Sequence, residues 1–419
     1  MKCQNYLLFT CMILTCCTSL INASPFAYIA SPSSILVVDV ATNMVVNTIP
    51  VPGAHCLYSL ALTPDNRYVY VTDSSATQVF GIDLITNTVS TVDTSGVDSN
   101  FPLYIAITSD GSAAYVTFDS EAHLAKISIP SNTVTPYTLQ APDDYAYVLA
   151  IAPNDQTIYL SGDDETPAFQ VSTFSIITQE QSAIDGVGNS GYIPGLAITS
   201  DSDTLYACSY GTPGGIVPIT NLLSIPTVQP TITINSLYAL ALSPDNKTGY
   251  AITETAPGIL STVDLSAASI TANATIGDYP QFVALTGDGN YAYVTNGTTS
   301  VYVVNTKTNA VSSFELDPIG NGIAIGTTPP PSNVVGTYIC NVFLDKTESI
   351  LHITWSASPS SAVTSYNIYN GTTLVASVSS TGPLCYNALL VNCTSGSNFS
   401  VTAVSSGGES VPVSVSIQS

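Results

Sequence analysis

The sequence predicts an all-β protein, a seven-bladed β-propeller followed by an immunoglobulin-like β-sandwich. Three observations carry this. One tyrosine recurs at Tyr28, Tyr70, Tyr115, Tyr159, Tyr206, Tyr250 and Tyr293, at spacings of 42, 45, 44, 47, 44 and 43 residues. Each copy holds four short β-branched and aromatic runs bounded by turn formers. No stretch beyond the N-terminal leader keeps a helical period. Four strands in a unit of this length match a propeller blade, whereas a solenoid coil is usually shorter and a sandwich needs about 100 residues.

Residues 1–23 read as a signal peptide. Lys2 precedes the apolar run Tyr6–Leu14, and Ala23 offers a small residue at the cleavage point. The run is shorter than the roughly 20 residues of a spanning helix. No later segment is long and apolar enough to cross a membrane. Five cysteines lie beyond the leader: Cys56, Cys208, Cys340, Cys385 and Cys393. Five is odd, so at least one is free or pairs between chains. Cys385 and Cys393 are the candidate disulfide, because they share one short stretch.

Residues 24–327 form the propeller. The second copy shows the pattern: 57–65, 68–72, 79–83 and 88–92 read as strands, with Pro64-Asp65-Asn66 and Thr86-Asn87 as turns. An alanine holds one first-strand position in every copy: Ala61, Ala106, Ala150, Ala197, Ala241, Ala284 and Ala324. Large aliphatics flank each one, so a small face meets a large face between blades. The chain begins the repeat at a second strand (26–30) and ends it on an orphan first strand (321–326). Pairing the two closes the ring and removes an open edge.

The motif Tyr293-Val294-Thr295-Asn296, with variants at 70–73 and 115–117 and Thr-Asn turns at 42–43, 86–87 and 308–309, resembles the YVTN family of extracellular β-propeller repeats. The resemblance covers about 300 residues. It implies a propeller of the kind found in prokaryotic cell-surface and surface-layer proteins. Copies four and five depart from the pattern at Thr178-Gln179 and Pro218-Ile219, where their third and fourth strands are expected.

Pro329-Pro330-Pro331 mark a stiff linker over 328–333. Residues 334–419 then hold about seven short strands. Trp355, Tyr366-Asn367-Ile368-Tyr369 and Val401-Thr402-Ala403-Val404 resemble the strand signatures of a fibronectin type III domain, with Ser397 where that family carries its corner tyrosine. Such modules act as spacers or binding arms. Trp355 and Tyr366 are expected in the core.

Composition narrows function. The chain of 419 residues has Lys+Arg 6 against Asp+Glu 29, a net charge of −23, so a phosphate-neutralising nucleic-acid surface is excluded. Hydrophobic residues at 45% exclude a disordered chain. No Gly-x-Ser-x-Gly elbow or phosphate loop occurs. His55 and His123 fall in loops of one ring end but have no sequence partner. Arg67 is the only arginine, too little for a phosphosugar site like those of lactonase propellers.

The acids have a layout. Asp65, Asp110, Asp155, Asp201, Asp245 and Asp288 sit in first turns, and Asp39, Asp83 and Asp264 end third strands, all as expected turn caps. Fourteen others fall in loops of the opposite end: Asp73, Asp93, Asp98, Asp119, Glu121, Asp143, Asp144, Asp163, Asp164, Glu165, Asp185, Glu254, Asp278 and Asp317. Arg67, Lys247 and Lys307 lie at the first end. Tyr58, Phe101, Tyr145, Tyr192 and Tyr279 neighbour the fourteen. The expected ligand face is therefore Asp73, Asp119, Glu121, Asp143, Asp144, Tyr145 and Tyr279. Asp163, Asp164 and Glu165 are a candidate Ca²⁺ site, since hard cations take several oxygens. No other cofactor is implied. The reading is a non-enzymatic binding or adhesion protein, secreted or at a cell surface, with a protein or glycan partner. The alternatives are a lactonase-like hydrolase and a structural envelope component.

Overall fold

The computed structural model describes residues 26–97, 101–119, 123–139, 146–161, 170–187, 192–316, 320–326, 332–343, 346–356, 363–382, 384–390, 399–405, 408–410 and 413–418. All its described elements are strands, and seven antiparallel sheets of at least four strands form the blades. The seven inner strands follow one another around the axis, and the last returns to the first.

Blade one is completed by both ends of the repeat. Ile323–Ile325 pairs with Phe26–Ser31 in the register Ala27 to Ile325 and Ile29 to Ile323. Blade two uses Leu57–Leu62, Tyr68–Asp73, Gln78–Asp83 and Thr88–Asp93, as expected. The departures in copies four and five do not abolish strands. Blade four keeps Gln170–Ser175 and Gln181–Asp185, with Gln179 taking the left-handed turn position at φ 61°. In blade five Pro218 lies within Gly215–Thr220, and the outer strand breaks into Thr227–Val228 and Ile232–Thr233. A proline has no ladder N–H to donate, and the split accommodates that loss.

The repeat motif is a set of clips between blades. The Tyr70 hydroxyl donates to Asn132 Oδ1 of the next blade at 2.7 Å, and Tyr293 donates to Asn43 Oδ1. Thr72 donates to the Leu103 carbonyl at 2.7 Å, Ser161 to Ile193 at 2.9 Å, and Thr117 and Thr295 likewise reach Tyr147 and Asn321. Each bond satisfies a carbonyl on, or just before, a neighbouring inner strand, where an orphan would be costly. The turn acids do what was expected of them. Thr63, Thr108, Thr199, Ser243 and Thr286 donate to the aspartate two residues on, at 2.5–2.6 Å. Asp155 differs: it accepts from Ser109 N, Ser109 Oγ and Asp110 N, fastening the turns of adjacent blades.

Residues 332–418 form two sheets. One orders Cys385–Leu390, Lys346–Ser356, Ser332–Phe343 and Ser416–Gln418; the other is built on Thr373–Ser379, Ser365–Asn370 and Phe399–Ser405. Leu351, Ile353 and Trp355 of the first share a core with Tyr366, Ile368, Val401 and Ala403 of the second. Trp355 and Tyr366 meet with ring centroids 5.6 Å apart. The first strand begins at Ser332, inside the expected linker, where it pairs with Ser356 before a register shift.

Candidate binding site at the axial mouth

The inner strands start at the end of the ring that carries the expected ligand face. Here the sequence places large rings where other copies are small. Two residues before the repeat alanine stand Tyr104 and Phe282, against Gly195, Ala239 and Gly322 elsewhere. Three residues before it stand Tyr58, Tyr147 and Tyr238, of which Tyr58 and Tyr238 join the same cluster. Ring closure brings these together. Tyr58 packs edge-on against Tyr104 at 5.7 Å and against Phe282 at 5.3 Å between centroids.

Phe282 and Tyr58 belong to blades seven and two, so their contact spans blade one. Gly322 makes room for it. Its amide donates to the Tyr58 carbonyl at 2.8 Å, and a Cβ there would lie 2.3 Å from that oxygen.

The phenols cluster. Tyr58 and Tyr104 hydroxyls lie 3.5 Å apart, and the Tyr238 phenol is close enough to Tyr58, Tyr104 and Tyr192 to feel their charge. Tyr192 meets Tyr210 edge-on at 5.7 Å, and the Tyr210 hydroxyl stands near Glu254. Phenols thus line the way from a half-buried carboxylate at the rim to the axis. Burial, then the neighbouring phenols, pushes Tyr58, Tyr104 and Tyr238 above the ordinary tyrosine range. Burial also raises Glu254, and the nearby Tyr210 hydroxyl partly offsets it. The phenols are neutral donors and acceptors at physiological pH. Nucleophiles and general bases need the opposite shift or a positioned base.

The expected ligand residues divide. Asp119 and Tyr279 are exposed in these loops, with Asp93, Asp185 and Asp278. Asp73 is a correction. It is 0% exposed and accepts from the amides of His55 at 2.8 Å, Cys56 at 3.2 Å and Ser75 at 3.0 Å, and from Ser75 Oγ. Its carboxylate is consumed in joining two loops, because those buried amides need an acceptor. Glu121, Asp143, Asp144, Tyr145, Asp163, Asp164 and Glu165 lie outside the described residues. So does Cys393, while Cys385 carries no disulfide among the described residues. No group of three metal-binding side chains occurs among the described residues. Tyr104, Tyr210, Tyr238 and Phe282 were not expected at the site. The signal for three of them was their offset from the repeat alanine.

The fold and the mouth define an all-β propeller with a phenol-lined axis. No family model matches the chain. Its described neighbours among solved structures share the fold alone. It is similar to hydrazine synthase of Kuenenia stuttgartiensis, with TM-score 0.55 and 16% identity over 73% of this chain and 99% of that one. A functionally unknown protein from Desulfotomaculum acetoxidans DSM 771 gives TM-score 0.58 and 16% identity, over 72% and 99%. A putative 6-phosphogluconolactonase from Bacteroides uniformis ATCC 8492 gives 0.55 and 15%, again over 72% and 99%. Among curated proteins, the uncharacterized YwhL of Bacillus subtilis strain 168 is 36% identical over 93 residues, which are 22% of this chain and 19% of that protein.

Proposed function

We propose that the protein is a non-enzymatic recognition protein, secreted or held at a cell surface, that binds a protein or glycan at the axial mouth. The observation that carries this is the cluster of Tyr58, Tyr104, Tyr238, Tyr192, Tyr210 and Glu254 at one end of the ring. Aromatic faces with hydroxyl tips suit recognition, because they bury area while keeping polar groups paired. Asp93, Asp119, Asp185 and Asp278 around the mouth add a negative rim, which steers a polar or cationic partner. The YVTN-like motif, the fibronectin type III-like signature of 334–419 and the leader-like residues 1–23 support an extracellular setting. The raised phenols and the unpartnered loop position of His55 in the sequence favour binding over lactonase-like hydrolysis.

The test is binding of the full chain to glycan and basic-peptide arrays. Tyr192→Ala and Glu254→Gln are expected to weaken the bound species at least tenfold without changing the melting temperature. Turnover of an ester or lactone panel, abolished by His55→Ala or His123→Ala, would overturn the reading.

A further inference from the structure

Every motif tyrosine faces a third-strand residue in its own blade. The partners are Val37, Gly81, Lys126, Thr173, Pro218, Thr262 and Val303. Only Tyr70 faces a glycine. A Cβ on Gly81 would stand 2.9 Å from Tyr70 Cε1, a ring that is 1% exposed and held by Asn132. Gly81 thus makes room for the Tyr70 ring, and beside the two residues a cleft of about 270 Å³ lies between blades two and three, at the end of the ring opposite the phenol mouth.

The cleft has the chemistry of a polyol site. The half-buried Tyr68 supplies aromatic surface. Asn132 accepts from Tyr70 through Oδ1, which leaves its amide hydrogens to donate. Thr88 Oγ1 accepts from Thr86 at 2.9 Å, so its own hydrogen is available, and the Ser90 hydroxyl lies beside it. Asp83 Oδ1 is taken by the amides of Ile85 and Thr86. Its Oδ2 pairs with Arg67 at 3.3 Å, and Arg67 stacks 5.0 Å over Tyr68. The one acid and the one base in reach therefore neutralise each other. An ionic ligand gains nothing net, while a neutral ring with alternating C–H faces and hydroxyls matches both halves of the lining. The volume lies just under the usual small-molecule range, enough to admit one sugar ring.

Blade four supplies an internal comparison. Its equivalent cleft, about 570 Å³, is lined by Thr157, Thr173, Ser175, Gln181 and Ser182 and has no aromatic face. Blade four therefore lacks the aromatic platform that Tyr68 gives blade two.

We infer that the Gly81 cleft binds one neutral saccharide unit, stacked on Tyr68 and hydrogen-bonded by Asn132, Thr88 and Ser90, independently of the axial mouth. The experiment is saturation-transfer NMR of the full chain with the methyl glycosides of glucose, galactose, mannose and N-acetylglucosamine at millimolar concentration. At least one glycoside is expected to receive saturation, and Tyr68→Ala is expected to weaken it at least tenfold. Thr88→Ile, an exposed substitution that narrows the cleft, is expected to do the same, with both variants melting as the parent does. Tyr192→Ala and Glu254→Gln are expected to leave it unchanged. Saturation of none of the four, persistence in both Tyr68→Ala and Thr88→Ile, or loss only in the mouth variants would overturn the assignment.

Discussion

The Tyr293 hydroxyl donates to Asn43 Oδ1 across a sequence separation of 250 residues, joining blade seven to blade one. The same contact joins Tyr70 to Asn132 in consecutive blades. In these two blade pairs the motif tyrosine and the asparagine of the neighbouring third-to-fourth-strand turn are thus two halves of one inter-blade bond.

Tyr293→Phe and Asn43→Ala are each expected to cost about 1 kcal/mol, the usual worth of one hydrogen bond. The double variant should cost less than the two single losses added, since both remove the same bond. Urea denaturation midpoints check this.

Thr72→Val keeps shape but deletes the donor to the Leu103 carbonyl. That carbonyl would be left short of a partner in a buried seam, so a loss of about 1–3 kcal/mol is expected. Unchanged stability would mean that the seam relaxes around the substitution.

Asp73→Ala removes the acceptor of three amides and one hydroxyl. A charged acceptor of this kind is worth roughly 1.5–3 kcal/mol per bond at most, and the loss should reach at least the lower figure. The folded fraction should still bind at the mouth if Asp73 is purely structural. Thermal melting with array binding separates the two effects.

Acid should destabilise the turns. The hydroxyls of Thr108, Thr199 and Ser243, and then the turn amides, hold Asp110, Asp201 and Asp245 below the ordinary 3.8. A carboxyl lowered on folding stabilises above its unfolded value and loses that contribution as pH falls through the folded value. Stability should therefore drop below about pH 4. Thr108→Val should return Asp110 towards 3.8, read by NMR titration.

Alkali should act through the motif tyrosines. Burial pushes Tyr70, Tyr115 and Tyr159 up to about 12 from the ordinary 10. A phenol raised on folding stabilises fully below its unfolded value, and the contribution is lost as pH rises through 10 towards 12. Ultraviolet titration should show fewer phenolates in the native protein than in urea over that window.

Much of the ring was legible because its causes are local. Pro64-Asp65 marks a turn through the short reach of an aspartate to its own backbone, and Thr63 to Asp65 is that reach. Ala61 between Leu60 and Leu62 marks an inner strand through side-chain alternation. Asp73 was misread because its amides come from the preceding loop, about 17 residues away, and nothing nearby announces them.

The sequence by itself determined the all-β class, the number of repeats, the pairing of Phe26–Ser31 with the terminal repeat strand, and the turn chemistry of the acids. These follow from periodicity and from bonds that close within a few residues. The tertiary structure alone decided that Tyr58 meets Phe282 over Gly322, that Tyr210 stands near Glu254, and that the Tyr70 ring fills the space beside Gly81. Those contacts join side chains from different blades or across one sheet. Their positions depend on how the closed ring sets the distance between strands, which no single repeat encodes.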